Sequence, residues 1–78
     1  MTPREKAQAG LERLKEAVVA LLAEHEDGLS NAEVERRLGL ESERAGGHRG
    51  YLSWSILSLL IEDGKIIKDG RKYRLDVT

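Results

Sequence analysis

The segment that most restricts the fold is KIIKDGRKYRL, at residues 65–75. An Asp-Gly pair separates two short runs of β-branched, aromatic and cationic residues, a pattern typical of a β-hairpin with a two-residue turn. With Asp-Gly as the turn, Ile66 is expected to lie opposite Tyr73. Ile66, Tyr73 and Leu75 then share one face of the hairpin, and we expect this face to cover the rest of the core.

The remainder of the chain predicts three helices in a single small domain. A chain of 78 residues buries only about 60% of the surface of its unfolded state, so its core is thin. The predicted fold is mainly α-helical with one small antiparallel β-hairpin. The single domain covers residues 1–78, with helix 1 at about 3–26, helix 2 at about 31–38, helix 3 at about 48–63 and the hairpin at about 65–75.

Local patterns mark the ends of the first two helices. Thr2 with Glu5, and Ser30 with Glu33, have the spacing of capping boxes, in which each residue of the pair bonds the backbone N–H of the other. Gly39 follows the second apolar run and suits the left-handed conformation that ends many helices. Between these helices we expect one brief extended residue, Leu29.

Helix 3 is the most apolar of the three and is predicted to be central to the core. On a helical wheel one broad apolar arc contains Leu52, Trp54, Ile56, Leu57, Leu60 and Ile61, with the small Ser53 among them. Trp54 and Tyr73 are both predicted to be core residues. The opposite side carries Tyr51, Ser55, Ser58 and Glu62.

Charge is distributed unevenly in a chain whose net charge is only −1. Residues 1–40 hold 6 Lys or Arg and 8 Asp or Glu, whereas residues 44–74 hold 7 and 3. Five of the eleven hairpin residues are Lys or Arg. The near-neutral net charge argues against a protein that coats nucleic acid nonspecifically. The uneven distribution of charge nevertheless predicts that the more basic region faces an anion.

Several function classes have no support in the sequence. The chain has no cysteine and two histidines 23 positions apart, so no metal-ligand spacing is present. No glycine-rich GxxxxGK phosphate loop occurs. The apolar run AVVALLA is too short to cross a bilayer. We therefore expect a cytoplasmic protein that is not an enzyme, with no cofactor and no metal.

The order helix, brief strand, helix, connector, helix, hairpin resembles the winged helix-turn-helix family of DNA-binding domains. The resemblance rests on LSNAEVERRLGL, YLSWSILSLLIEDGKI and GRKYRL, and it covers roughly residues 15–76. It implies that helix 3 enters the major groove of double-stranded DNA and that the hairpin is the wing on the phosphate backbone. The connector at about 41–47 is longer than the usual turn of the family. A small prokaryotic transcriptional regulator or an accessory DNA-binding module is the expected role.

The resemblance also implies a set of contact residues. Arg49 is expected to bind the major-groove edge of guanine with two parallel hydrogen bonds. Basic residues of the wing are expected to neutralise phosphates. The full predicted set is Arg44, His48, Arg49, Tyr51, Ser55, Lys68, Arg71, Lys72 and Arg74, with Ser58 at its margin. Paired half-sites would require a homodimer, for which helix 1 is the expected contact through Val19, Leu22 or residues near Gly10.

Two alternatives stay open. Lys and Arg on an exposed hairpin also protect its edge from pairing with other chains. Winged domains also serve as protein-interaction modules within larger assemblies, so a protein partner is the rival to DNA. An exposed apolar patch at Trp54 or Ile61 would favour the protein partner.

Overall fold

The computed structural model describes residues 1–40 and 51–76 and contains three helices and one hairpin. The first helix, α1, spans Pro3–Ala23. Its predicted capping box with Thr2 and Glu5 is confirmed: the Glu5 N–H donates to Thr2 Oγ1 at 3.2 Å, and the Thr2 N–H donates to Glu5 Oε1 at 3.3 Å. Pro3 occupies the first helical position, where no N–H is needed.

Helix α1 ends three residues before the predicted end at about residue 26. The N–H groups of Glu24 and His25 bond the carbonyls of Leu21 and Leu22, at 3.1 and 3.0 Å. These bonds span three residues rather than four, so the last turn tightens and the helix stops. Gly28 then turns the chain with a φ of 86°.

Helix α2 is short and spans Asn31–Arg37. Its capping box is confirmed, with the Glu33 N–H donating to Ser30 Oγ at 3.2 Å. At the other end Gly39 has a φ of 68°, and the Leu40 N–H donates to the Glu35 carbonyl at 2.9 Å. This left-handed glycine cap is the ending that the sequence predicts.

Helix α3 spans Tyr51–Glu62, and residues before Tyr51 lie outside the described part of the chain. It ends with the same type of glycine cap as α2. The Lys65 N–H donates to the Leu60 carbonyl at 3.0 Å, and Gly64 has a φ of 74°. The cap turns the chain directly from α3 into the hairpin.

The hairpin consists of β1, Ile66–Asp69, and β2, Lys72–Leu75, paired antiparallel. Its register differs from the prediction, because Ile66 lies opposite Leu75 rather than Tyr73. The turn residues are Gly70 and Arg71, not Asp69 and Gly70. Gly70 alone adopts positive φ in this turn, at 65°, which suits glycine as the first central residue of a type II′ turn. An Asp-Gly turn of type I′ would require positive φ at Asp69 as well.

Leu29 adds a third, one-residue strand to the hairpin, which confirms its predicted extended conformation. Its N–H donates to the Tyr73 carbonyl at 2.9 Å and its carbonyl accepts from the Tyr73 N–H at 2.8 Å. The chain before α2 is thereby attached to β2. Gly28 precedes the bridge, and a Cβ at its position would lie 2.7 Å from the Tyr73 carbonyl oxygen.

The core lies where α1, α2, α3 and one face of the hairpin meet. Its buried members are Val18, Leu22, Leu29, Val34, Ile56, Leu57, Leu60, Ile66 and Tyr73. Two sequence interpretations are wrong here. Trp54 is about half exposed, at 49%, and is not a core residue. Leu22 is buried, at 1% exposure, and therefore offers no surface for a dimer contact.

None of the described helices combines the length and the apolar character needed to cross a membrane.

Candidate functional site

The outer face of α3 carries the polar residues that the helical wheel placed opposite the apolar arc, among them the predicted DNA contacts Tyr51 and Ser55. Tyr51 is 64% exposed, Ser55 and Ser58 are partly exposed and Glu62 is exposed. The spacing of these residues by three or four positions places them along one side of the helix. Within the described part of α3, Glu62 is the one charged side chain, and the helix has no Lys or Arg.

Apolar side chains border this face. Trp54, Ile61 and Leu52 are 49%, 39% and 48% exposed. Trp54 and Ile61 lie seven residues apart, on the same flank of the helix. The Trp54 and Tyr51 rings meet edge to face, with centroids 6.0 Å apart. The predicted apolar arc was too wide, because only Ser53, Ile56, Leu57 and Leu60 are buried on this helix.

Ser55 has a defined hydrogen-bond state. Its hydroxyl donates to the Tyr51 carbonyl one turn earlier, at 2.9 Å. The proton of the hydroxyl is therefore used inside the helix, and the lone pairs of Oγ are what Ser55 presents outward. This polarity of the Ser55 hydroxyl could not be predicted from the sequence.

A short hydrogen bond joins α2 to α3. The hydroxyl of Ser53, which is completely buried, donates to Asn31 Oδ1 at 2.6 Å. Asn31 is the first residue of α2, and Ser53 lies two residues after Tyr51, within the first described turn of α3. The bond fixes the start of one helix against the other. The sequence indicated a small residue at Ser53 but not its hydrogen-bond partner.

The hairpin displays its cations at the turn and on both strands. Lys68, Arg71 and Lys72 are exposed, and Arg74 is partly exposed. Lys68 Nζ lies 5.7 Å from the centroid of the Tyr73 ring, within cation–π distance. Arg74 Nε lies 3.6 Å from Asp69 Oδ2. For Arg71, at the turn, the structure gives no such contact with the described residues.

Lys72 lies within electrostatic reach of the start of α2. The pKa of Glu33 is held below its ordinary value of 4.5, first by the backbone N–H of Ser30 and then by its side chain. The charges of Lys72 and Arg37 lower it further. The hairpin is therefore linked to the start of α2 in two ways. The charge of Lys72 acts on Glu33, and Tyr73 bonds Leu29 in the segment before α2.

A second ion pair joins α1 to the end of α3. Lys15 Nζ lies 3.1 Å from Asp63 Oδ2 and 3.6 Å from Glu12 Oε1. The hydrogen bond to Asp63 is the main reason that the pKa of Lys15 is raised above its ordinary value. This pair lies beyond Glu62, at the end of the exposed face of α3.

The predicted contacts are only partly covered by the described residues. Arg44, His48 and Arg49 lie outside them. Tyr51 and Ser55 share the outer face of α3, and the four basic residues of the hairpin form a separate group. Within residues 1–40 and 51–76, no cluster of three or more His, Cys, Asp or Glu side chains is placed to hold a metal ion.

Comparison of the chain with protein-family models, with curated proteins and with solved structures finds no match.

Proposed function

We propose that the chain is a winged helix-turn-helix domain that binds double-stranded DNA, with α3 in the major groove and the hairpin as the wing. The proposal is supported by the order of elements and by the bridge between Leu29 and Tyr73. That bridge joins the segment between α1 and α2 to the last strand, which gives the small sheet expected beside the helices in this family. Transcriptional control or an accessory DNA-binding role follows from the same proposal.

The placement of the hairpin cations is the observation that carries the proposal. In the described part of the chain, no strand pairs with the outer edge of β1. Protection of that edge would call for cations on β1, and Lys68 is the one basic residue within that strand. Arg71, Lys72 and Arg74 lie at the turn and on β2 instead, where phosphate neutralisation gives them a role.

The test is DNA affinity at two salt concentrations, with mixed-sequence duplexes and the parent protein. Binding in the micromolar range that weakens steeply between about 50 and 200 mM salt is the expected result. Arg71→Ala should weaken binding to all sequences and reduce the salt slope by about 1. Arg13→Ala, an exposed cation of α1, is the matched control and should bind like the parent. Equal salt slopes for Arg71→Ala and Arg13→Ala would mean that the hairpin is not part of the DNA interface.

A protein partner is the second candidate, and one observation favours it. The described part of α3 has no cation, and it exposes Trp54, Ile61 and Leu52 beside Tyr51. Trp54 and Ile61 lie seven residues apart on one flank of the helix, and exposed apolar groups grouped in this way are typical of protein interaction surfaces. Absence of DNA binding at about 50 mM salt, where phosphate contacts are strongest, would favour this candidate over the first.

Self-association remains a proposal under both candidates. Because Leu22 is buried, a dimer contact on α1 would have to use residues such as Val19, which is partly buried. A DNA-binding domain with a single reading helix commonly binds paired half-sites as a symmetric dimer. Sedimentation of the free protein and of its DNA complex would give the number of copies.

A further inference from the structure

The outer face of α3 combines apolar groups with hydrogen-bond acceptors. Trp54 and Ile61 supply exposed apolar surface. Ser55 presents lone pairs because its proton is donated to the Tyr51 carbonyl, and Glu62 is a carboxylate. In the described part of the helix, no cationic donor accompanies them.

This chemistry distinguishes among base pairs in the major groove. Guanine presents the acceptors N7 and O6 there, which the lone pairs of Ser55 and the carboxylate of Glu62 repel. Adenine and cytosine each present an amino donor that an acceptor can bind. Thymine alone among the four bases presents a methyl group, which packs favourably on an apolar side chain. An A·T pair thus matches both properties of this face, whereas a G·C pair matches one.

We propose that α3 selects A·T pairs, with the thymine 5-methyl group packed against Trp54 and the adenine amino group donating to Ser55 Oγ. The proposal rests on the DNA-binding function proposed above and names the bases that the described face recognises. Arg49, which is expected to bind guanine, lies outside the described residues and does not bear on these positions.

The length and rigidity of the face suit such recognition. Trp54, Ser58 and Ile61 follow one another at spacings of four and three residues, which extend over about 10 Å of helix. That length corresponds to about three base pairs at 3.4 Å each. The edge-to-face contact with Tyr51 restricts the orientation of the Trp54 ring. A ring held in one orientation loses less conformational entropy when it packs on a methyl group.

Uracil-substituted DNA tests the thymine contact without changing any hydrogen-bonding group. Two duplexes of identical A·T-containing sequence, one with thymine and one with uracil throughout, are titrated with the parent protein by fluorescence anisotropy. Removal of one contacted methyl group should weaken binding about fourfold, from the transfer free energy of a buried CH₂ group. Trp54 is the one tryptophan of the chain, so a change in its emission on binding reports contact directly.

Two variants assign the effect to a side chain. Trp54→Ala should bind both duplexes with nearly equal affinity, because the apolar contact is lost. Leu52→Ala removes a comparably exposed apolar side chain that lies about 160° around the helix from Trp54. This control should keep the preference for thymine.

The outcomes separate this inference from the function on which it rests. Equal, salt-dependent binding of the parent to both duplexes would refute thymine recognition and leave DNA binding intact. A preference that persists in Trp54→Ala would refute the assignment to this side chain. Binding to neither duplex at about 50 mM salt would overturn the proposed function and the inference together.

Discussion

Replacement of Gly28 by alanine tests whether the contact between the α1–α2 segment and the hairpin is as close as the structure indicates. Gly28 has a φ of 86°, a conformation that residues with a Cβ rarely adopt. An added Cβ would lie 2.7 Å from the carbonyl oxygen of Tyr73, well inside van der Waals contact. That carbonyl accepts the Leu29 N–H, so the backbone must move and the bridge must lengthen.

The expected cost has two parts. Positive φ costs a residue with a Cβ about 1–2 kcal/mol. The bridge contains two backbone hydrogen bonds, at 2.9 and 2.8 Å, and each contributes about 0.5–1.5 kcal/mol to stability. Gly28→Ala should therefore lower the free energy of unfolding by about 2–5 kcal/mol. In a domain of this size each kcal/mol lowers Tm by about 4–8 °C.

Gly39→Ala is the matched control. Gly39 also has positive φ, at 68°, but a Cβ there would have no neighbour within 4 Å among the described residues. Its loss should be about 1–2 kcal/mol, from conformation alone. Urea unfolding followed by circular dichroism gives both values under the same conditions. Equal losses for the two variants would show that the Tyr73 contact adds nothing and would refute the structural argument.

Two further predictions concern the start of α2. Because the folded-state pKa of Glu33 is lowered, its contribution to stability is complete above about pH 4.5 and is lost as the pH falls through its folded value. The urea midpoint of the parent should drop between about pH 7 and pH 3, and Glu33→Gln should show a smaller drop. Ser53→Ala removes the donor to Asn31 and should lower the free energy of unfolding by about 1–3 kcal/mol. In a double-mutant cycle, the losses from Ser53→Ala and Asn31→Ala should not add. Additive losses would mean that the hydrogen bond is not made.

The ends of the helices could be predicted because they depend on residues close in sequence. A capping box needs only a hydroxyl and a carboxylate three positions apart, as at Ser30 and Glu33. A glycine cap needs only a residue that tolerates positive φ, as at Gly39. Such patterns carry their own geometry, so distant packing has little influence on them.

The hairpin register could not be predicted with the same rule. An Asp-Gly pair fits a turn in which glycine is the second central residue, but the observed turn begins with Gly70. A shift of two residues leaves every side chain on its original face. The burial of Ile66 and Tyr73 was therefore predicted correctly although their pairing was wrong.

The exposure of Trp54 could not be derived from the helical wheel, since periodicity gives the centre of the buried face but not its width. The width depends on how many elements cover the helix. In this small fold α1, α2 and β1 pack against α3, and they bury four of its residues, Ser53 among them. Trp54, on the flank, remains half exposed.

In the proposed DNA interface, attraction to phosphates and recognition of bases are carried by different elements. The described part of α3 brings no positive charge to a polyanion, so long-range attraction must come from the hairpin and from residues outside the described part. Two of the hairpin cations already face carboxylates, Arg74 at Asp69 and Lys72 near Glu33. Phosphates must compete with these partners for Arg74 and Lys72, so the expected salt slope should depend most on Arg71, for which the described residues offer no such contact. Base selectivity would then come from the methyl and hydroxyl contacts of α3. A protein ligand on the same apolar flank would show almost no salt slope, so salt dependence and base preference together separate the two candidates.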